Sequence, residues 1–177
     1  KIATIIGRYY AMDRDNHWER TEKAYKALVE GLGAYCQDPK QGIIASYEAG
    51  LTDEFIKPLI MKDESGKILP RIKDNDAVIF FNFRVDRPRQ LTKAFVLEDL
   101  NKLIGRKISF DPYAEKYTKK SYVEEDIQTT FVRGPKIKNL FFVTMTEYEK
   151  YLPVKVAFPP LYVELPLGKI ISDKMQK

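Results

Sequence analysis

In 177 residues the sequence has one cysteine, Cys36, and one histidine, His17. A single cysteine excludes an internal disulfide and is in keeping with a reducing compartment. Cys36 reads as a small buried or half-buried residue after a helix. His17 falls at an expected helix start, where a surface position is its ordinary role, so the chain offers no evident general base. No apolar run approaches the roughly 20 residues that a membrane-spanning helix needs. No dense basic block occurs either: 30 Lys and Arg are spread among 25 Asp and Glu, for a net charge of +5. A surplus so small and dispersed argues against nucleic acid and fits attraction of a small polyanion. No solenoid-type repeat is visible. What is present is ordinary for a globular chain. The 44% of hydrophobic residues can bury a core in one domain with an attached tail.

The chain is organised around Gly7-Arg8-Tyr9-Tyr10-Ala11-Met12-Asp13-Arg14-Asp15. The apolar run at 2–6 reads as a buried strand, and a helical pattern begins near His17. Two arginines are thus presented where a strand ends and a helix is about to begin. Carboxyl ends of strands in α/β sheets are where ligands bind, and helix starts favour anions. Arg8 and Arg14 in an ordinary surface loop is the plainer alternative. A second stretch repeats the arrangement. Residues 76–83 form an apolar strand that runs into Arg84-Val85-Asp86-Arg87. Two such pairs, brought together by one parallel sheet, would set four guanidinium groups around one crevice. Planar, permanently charged donors suit small anions better than lysine does.

In chain order, Asn16 is a plausible N-cap, with Glu19 completing a capping box. Trp18, Thr21, Tyr25, Leu28, Val29 and Leu32 fall at helical spacings and end near Gly31 or Gly33, with Trp18 and Tyr25 facing the core. Residues 40–50 carry a shorter helix. A capped turn at 52–55 stops at Pro58, a short strand covers 59–61, and 62–67 reads as a hairpin turn. The strand at 77–83 is apolar on both faces, as a central parallel strand should be. Pro88 opens a helix that runs from Arg89 to Leu97. Asp86 either orients Arg84 or Arg87 or caps that helix, and the cap is the more common role. Residues 139–146 form a third buried strand, and 154–160 an extended, proline-stiffened linker. Between 100 and 135 apolar periodicity is poor. Tyr113, Tyr117 and Tyr122 alternate there with Lys116, Lys119 and Lys120, which reads as a solvated excursion rather than an RNA surface. Strands alternating with helices give an α/β class, with a mostly parallel sheet and helices on both faces.

The residues of the two arginine stretches resemble cofactor-independent (2,3-bisphosphoglycerate-independent) phosphoglycerate mutase. The shared motifs are GRYYAMDRD with Trp18-Glu19-Arg20, and Asn82-Phe83-Arg84-x-Asp86-Arg87 with Arg89-Gln90-Leu91-Thr92. Tyr47 to Gly50, Thr52 to Phe55 before Pro58, and Val156 to Pro160 match as well. The family usually has a serine where Ile6 stands, and often a basic residue at His17. The resemblance implies an enzyme of the alkaline phosphatase superfamily. Its phosphatase-like domain carries two divalent metals, manganese expected, and a nucleophilic serine. An inserted phosphotransferase domain holds the glycerate. This chain looks like most of that inserted domain: 1–153 incomplete on its N-terminal side, 154–160 as the return linker and 161–177 as the start of the returning domain. The serine motif and the metal ligands are not in this chain. Arg8, Arg14, Arg84 and Arg87 are expected to bind 2- or 3-phosphoglycerate, with Asp13 and Asp86 in support. No catalytic residue and no 2,3-bisphosphoglycerate are expected, and the chain by itself should be inactive. A cytoplasmic, monomeric isomerase is implied, without nucleic-acid or membrane partners. Two alternatives stay open: an anion-sensing relative without the partner domain, and a basic RNA-binding domain.

Overall fold

The computed structural model describes residues 1–100 and 130–161. The tyrosine- and lysine-rich stretch around Tyr113, Tyr117 and Tyr122 lies outside the described residues, as does all but the first residue of the expected domain start at 161–177. The elements are β1 (Thr4–Ile5), α1 (Arg8–Ala11), α2 (Trp18–Val29), β2 (Ala34–Cys36), α3 (Pro39–Glu48), a 3-10 turn (Asp53–Phe55), β3 (Leu59–Met61), β4 (Ala77–Phe80), α4 (Pro88–Val96), β5 (Phe141–Thr144) and β6 (Lys155–Val156). The class is α/β with mostly parallel pairing. No described helix is long and apolar enough to cross a membrane.

The expected single sheet is instead two three-stranded sheets among the described residues, ordered β1-β3-β2 and β4-β5-β6. β1 runs antiparallel to β3, pairing Thr4 with Ile60, while β2 runs parallel to it. β4, β5 and β6 are all parallel, with Ala77 to Phe80 opposite Phe141 to Thr144. Among the described residues the 77–83 run is therefore not central: β4 is an edge, and β5 is the middle strand. Ile79, Phe81 and Phe83 are exposed at 66, 75 and 63%. An apolar run reports that a strand has hydrophobic partners somewhere, not that it has two strand neighbours. The segment read as a linker contributes β6, and Phe158 just beyond it stacks on Phe83 with ring centroids 5.7 Å apart.

The core lies where α2 and α4 pack on each other and on β5. Along α2, Trp18, Thr21, Ala24, Tyr25 and Ala27 are buried, the face that the helical spacing marks. Tyr25 meets Phe95 of α4 at 4.9 Å between centroids, and Phe95 meets Phe142 of β5 at 5.8 Å. Ala24, Ala27 and Ala94 are fully buried, so small side chains let the helices approach while the aromatic rings fill the layer.

Two local expectations are corrected. The N-cap of α2 is His17, not Asn16, and its side chain makes no capping bond. Asn16 instead takes a left-handed φ of 65°, a region that asparagine tolerates better than most residues. The carboxylate that orders the helix entry is Asp13: Oδ1 accepts from the backbone N–H of Asp15 and of His17, each at 3.0 Å. Cys36 lies inside β2, half-buried with Sγ 3.5 Å from Met61 Sδ, and burial pushes its thiol up.

Arg71 has a role that composition does not suggest. Its guanidinium donates to Thr4 Oγ1 at 2.5 Å, to the carbonyls of Ala3 and Leu69 at 2.9 Å each, and to the Ala27 carbonyl at 3.2 Å. It ties β1 to the end of α2 and to the strand-like return after the hairpin. Burial lowers its pKa, though never near neutrality for a guanidinium.

Candidate functional site

The two arginine turns come together although their strands belong to different sheets. The contact between α2 and α4 brings them together. Arg14, at the entry to α2, reaches Asp86, at the entry to α4, with Nη1 2.6 Å from Oδ2. Arg84 Nε lies 3.0 Å from the other oxygen, Oδ1. Oδ1 nevertheless lacks a well-directed hydrogen bond, so that second contact is one of charge rather than alignment. Arg87 turns the other way and donates from Nη1 to the Met12 carbonyl at 3.1 Å, just past the end of α1.

Two guanidinium groups thus flank one carboxylate, leaving one net positive charge in the cluster (two against one), while Arg87 braces the loop at Met12. The side chains of Arg14 and Arg84 are 44% and 82% exposed, so their N–H groups face solvent as well as Asp86. Arg8 is held differently. It pairs with Glu54 at 2.9 Å, on the same helical turn whose end Arg87 grips, because the Met12 N–H closes that turn onto the Arg8 carbonyl at 2.9 Å. The N-cap of α4 is Arg87, so Asp86 takes the less common of its two expected roles, orienting Arg84 and, unexpectedly, Arg14 across the junction.

Burial raises the Asp86 pKa. The hydrogen bond from Arg14, the Arg87 backbone and the charge of Arg84 outweigh this and hold it below its ordinary 3.8. A depressed carboxylate contributes its pairing above the ordinary value and loses it as pH falls through the lowered one. Asp86 is therefore a fixed anion throughout the neutral range. A carboxylate or phosphate entering this cluster competes with Asp86 for the arginines.

Asp13 lies beneath the same loop at 5% exposure. Besides the two backbone bonds, its Oδ2 is 3.1 Å from His17 Nδ1 and 3.2 Å from Arg20 Nη1. Arg20 in turn sits 4.0 Å over the Tyr9 ring, linking α2 back to α1. Asp13, Asp15 and His17 bring one ligand atom each within 4.8 Å of one another. They fit a divalent ion poorly. The Asp13 oxygens already accept from two backbone N–H groups, an imidazole and a guanidinium, and that guanidinium puts a positive charge where an ion would sit. The two metals implied by the resemblance find no evident ligand set among the described residues.

Three positioning contacts were not expected from the sequence. Tyr148, only 1% exposed, sets its hydroxyl 2.8 Å from the Phe80 carbonyl and 2.5 Å from that of Asn82. Thr146 donates to the Phe83 carbonyl at 2.9 Å, and Arg89 to the Tyr148 carbonyl at 3.0 Å. The chain after β5 thereby steadies the turn carrying Arg84. Tyr148→Phe should lower stability by about 1.5 kcal/mol, since buried carbonyls lose their donor. Urea unfolding reads this, and an unchanged midpoint would contradict it. The sequence clue was a tyrosine beside a buried strand end, whose hydroxyl needs a partner when buried. The other two contacts, of Thr146 and Arg89, depend wholly on segments 63 and 59 positions away.

The family model for "BPG-independent PGAM N-terminus" matches residues 1–150. The 2,3-bisphosphoglycerate-independent phosphoglycerate mutase of Chloroflexus aurantiacus is 46% identical over 173 residues, covering 97% of this chain and 30% of the relative. That of Methanococcoides burtonii is 43% identical over 175 residues, covering 98% and 28%. This chain therefore spans about 30% of the length of such curated relatives. A crystal structure of Leishmania mexicana phosphoglycerate mutase at low cobalt concentration superposes with a TM-score of 0.67 at 28% identity, covering 93% of this chain and 26% of that one. The match takes in both arginine motifs, and the chain belongs to the BPG-independent PGAM N-terminus family.

Proposed function

We propose that this chain is the glycerate-holding part of a phosphoglycerate mutase, an isomerase that interconverts 3-phosphoglycerate and 2-phosphoglycerate. The observation that carries this reading is the meeting of the two arginine turns, where Arg14 and Arg84 flank Asp86 with a surplus of one positive charge and Arg87 holds the end of the first turn at Met12. Relatives that bear the mutase name support the substrate.

The remainder of the protein would supply a phosphatase-like domain, a nucleophilic serine and two divalent metals, manganese among the candidates. When bound, the metals would activate the serine and neutralise charge on the phosphoryl group. This chain's residues have a different task. They grip a small anion while it loses its phosphate to the serine, and they keep the glycerate from escaping before the phosphate returns to the other hydroxyl. Bidentate donors to the carboxylate give that grip a defined orientation, so either hydroxyl is presented in turn. Arg14, Arg84 and Arg87 supply those donors, with Arg8 at the rim. Asp86 keeps Arg14 and Arg84 in place before the ligand arrives, and Asp13 fixes the loop between them and α2. The unit bounded at 153, followed by a return linker, is part of the same proposal, as is a cytoplasmic monomer.

The test is mutase turnover by the complete protein, with calorimetric titration of 3-phosphoglycerate alongside. Conversion to 2-phosphoglycerate without added 2,3-bisphosphoglycerate is expected. Binding without turnover would instead indicate an anion-binding relative, and the absence of both binding and turnover would sink the reading. The pH dependence is a further check. Because Asp86 keeps its charge across the neutral range, affinity should follow the second ionisation of the ligand's phosphate, near pH 6 for a phosphate monoester. It should tighten from pH 5 to 7 and level off above. Affinity that falls as pH rises through that interval would contradict the assignment of the arginines.

A further inference from the structure

Gln90 is a polar residue on the buried face of α4, between the apolar contacts of Leu91, Ala94 and Phe95. It is 4% exposed, and both ends of its amide are used. Oε1 accepts from the Asn16 N–H at 3.1 Å, and Nε2 donates to Thr21 Oγ1 at 2.7 Å. Asn16 lies two residues after Arg14 and holds the left-handed φ of 65° that turns the chain into α2. Gln90 itself lies four residues after Asp86, one helical turn along α4. One side chain therefore fixes the Arg14 loop to the helix whose entry carries Asp86 and Arg87. It also faces the same cleft, of about 170 Å³, as Arg14, Asp86, Arg89 and Lys93.

We infer that Gln90 is a positioning residue for ligand binding. Through the backbone of Asn16 it sets the distance from the Arg14 guanidinium to the cluster around Asp86. The salt bridge alone holds that distance weakly, because Arg14 is long and 44% exposed. The amide constrains the backbone from which Arg14 projects, and a buried amide can do so only when both its ends are satisfied. The second bond, to Thr21, holds the amide in the rotamer that faces Asn16. This inference rests on Arg14 being a ligand-binding residue.

The test uses the complete protein. Gln90→Met keeps the length and removes both bonds, and Gln90→Asn shortens the amide should the first variant fail to fold. Either should raise the KM for 3-phosphoglycerate on the order of tenfold, by misplacing one clamping group. In an Arg14→Ala background the same change should cost less than roughly twofold, because its effect passes through Arg14. Thr21→Val, which keeps the bond to Asn16 but unpairs the other end of the amide, should raise KM in the same direction by a smaller factor. A Gln90 variant that loses stability at unchanged KM, or that adds fully to Arg14→Ala, overturns the inference and leaves the proposed function standing. An active protein in which Arg14→Ala has no effect overturns the inference together with the role of Arg14. A wild-type protein that neither binds nor converts 3-phosphoglycerate overturns the proposed function itself.

Discussion

Arg14→Ala should weaken 3-phosphoglycerate binding, and with it kcat/KM, by roughly a hundredfold, equivalent to about 3 kcal/mol. Two effects act in the same direction. The ligand loses a bidentate, charge-assisted donor. Asp86 also loses the partner 2.6 Å away and keeps only the poorly aligned contact with Arg84. The cluster's surplus of one positive charge falls to zero, and Asp86 then repels an incoming carboxylate more than it did. Arg14→Lys should recover only part of the loss. A lysine restores the charge but not the fork that engages two oxygens at once. Asp86→Asn is the informative contrast. It removes the competitor and the orienting group together, so it should cost less than Arg14→Ala. Calorimetric titration measures all three, and circular dichroism confirms that a half-exposed arginine was removed without unfolding. Unchanged affinity in Arg14→Ala would remove the arginine cluster from the ligand site.

Gly7→Ala should cost about 3 kcal/mol of stability, or roughly 10 °C in Tm for a chain of this size. The backbone torsions do not demand glycine here: φ −62° and ψ 149° suit any residue. Proximity does. An added Cβ would stand 2.4 Å from the Glu54 carbonyl oxygen and 2.7 Å from the Ile56 nitrogen. Both are backbone atoms, so no side chain can rotate out of the way. The same approach carries the hydrogen bond from Gly7 N–H to the Ile56 carbonyl at 2.8 Å. Pushing the two segments apart breaks that bond. It also separates Arg8 from Glu54, and Tyr9 from Phe55, whose rings now lie 5.2 Å apart. Thermal unfolding measures the loss, and a Tm within a degree or two of wild type would show that the approach is looser than described.

Much of the local structure was legible before any coordinates. The spacing of Trp18, Thr21 and Tyr25 marked the buried face of α2, because a helix repeats its core contacts every three to four residues. The apolar runs marked β3, β4 and β5, and the polar 62–67 stretch marked a turn, closed by the Lys62–Ile68 bridge. The strands β2 and β6, of three and two residues, escaped notice because no period can be read from so few positions. The cap of α2 was misassigned for a related reason. Asn16 has the right chemistry for a cap, but a tertiary bond to Gln90 outweighed its local preference.

The sequence by itself determined the chemistry: two turns rich in arginine, each placed after an apolar strand, with no cysteine pair and no cluster of histidines to suggest another site. Residue type and short spacing carry that information, because a guanidinium is a bidentate cation wherever it stands. The tertiary structure decided the assembly. It put β1 and β4 in different sheets, joined their turns through α2 against α4, gave Asp86 to Arg14, and committed Arg8 to Glu54. Those choices pair residues 46 and 72 positions apart. Such pairs are fixed by how whole helices and sheets bury their apolar faces, and no local stretch of sequence encodes which distant partner the packing will deliver.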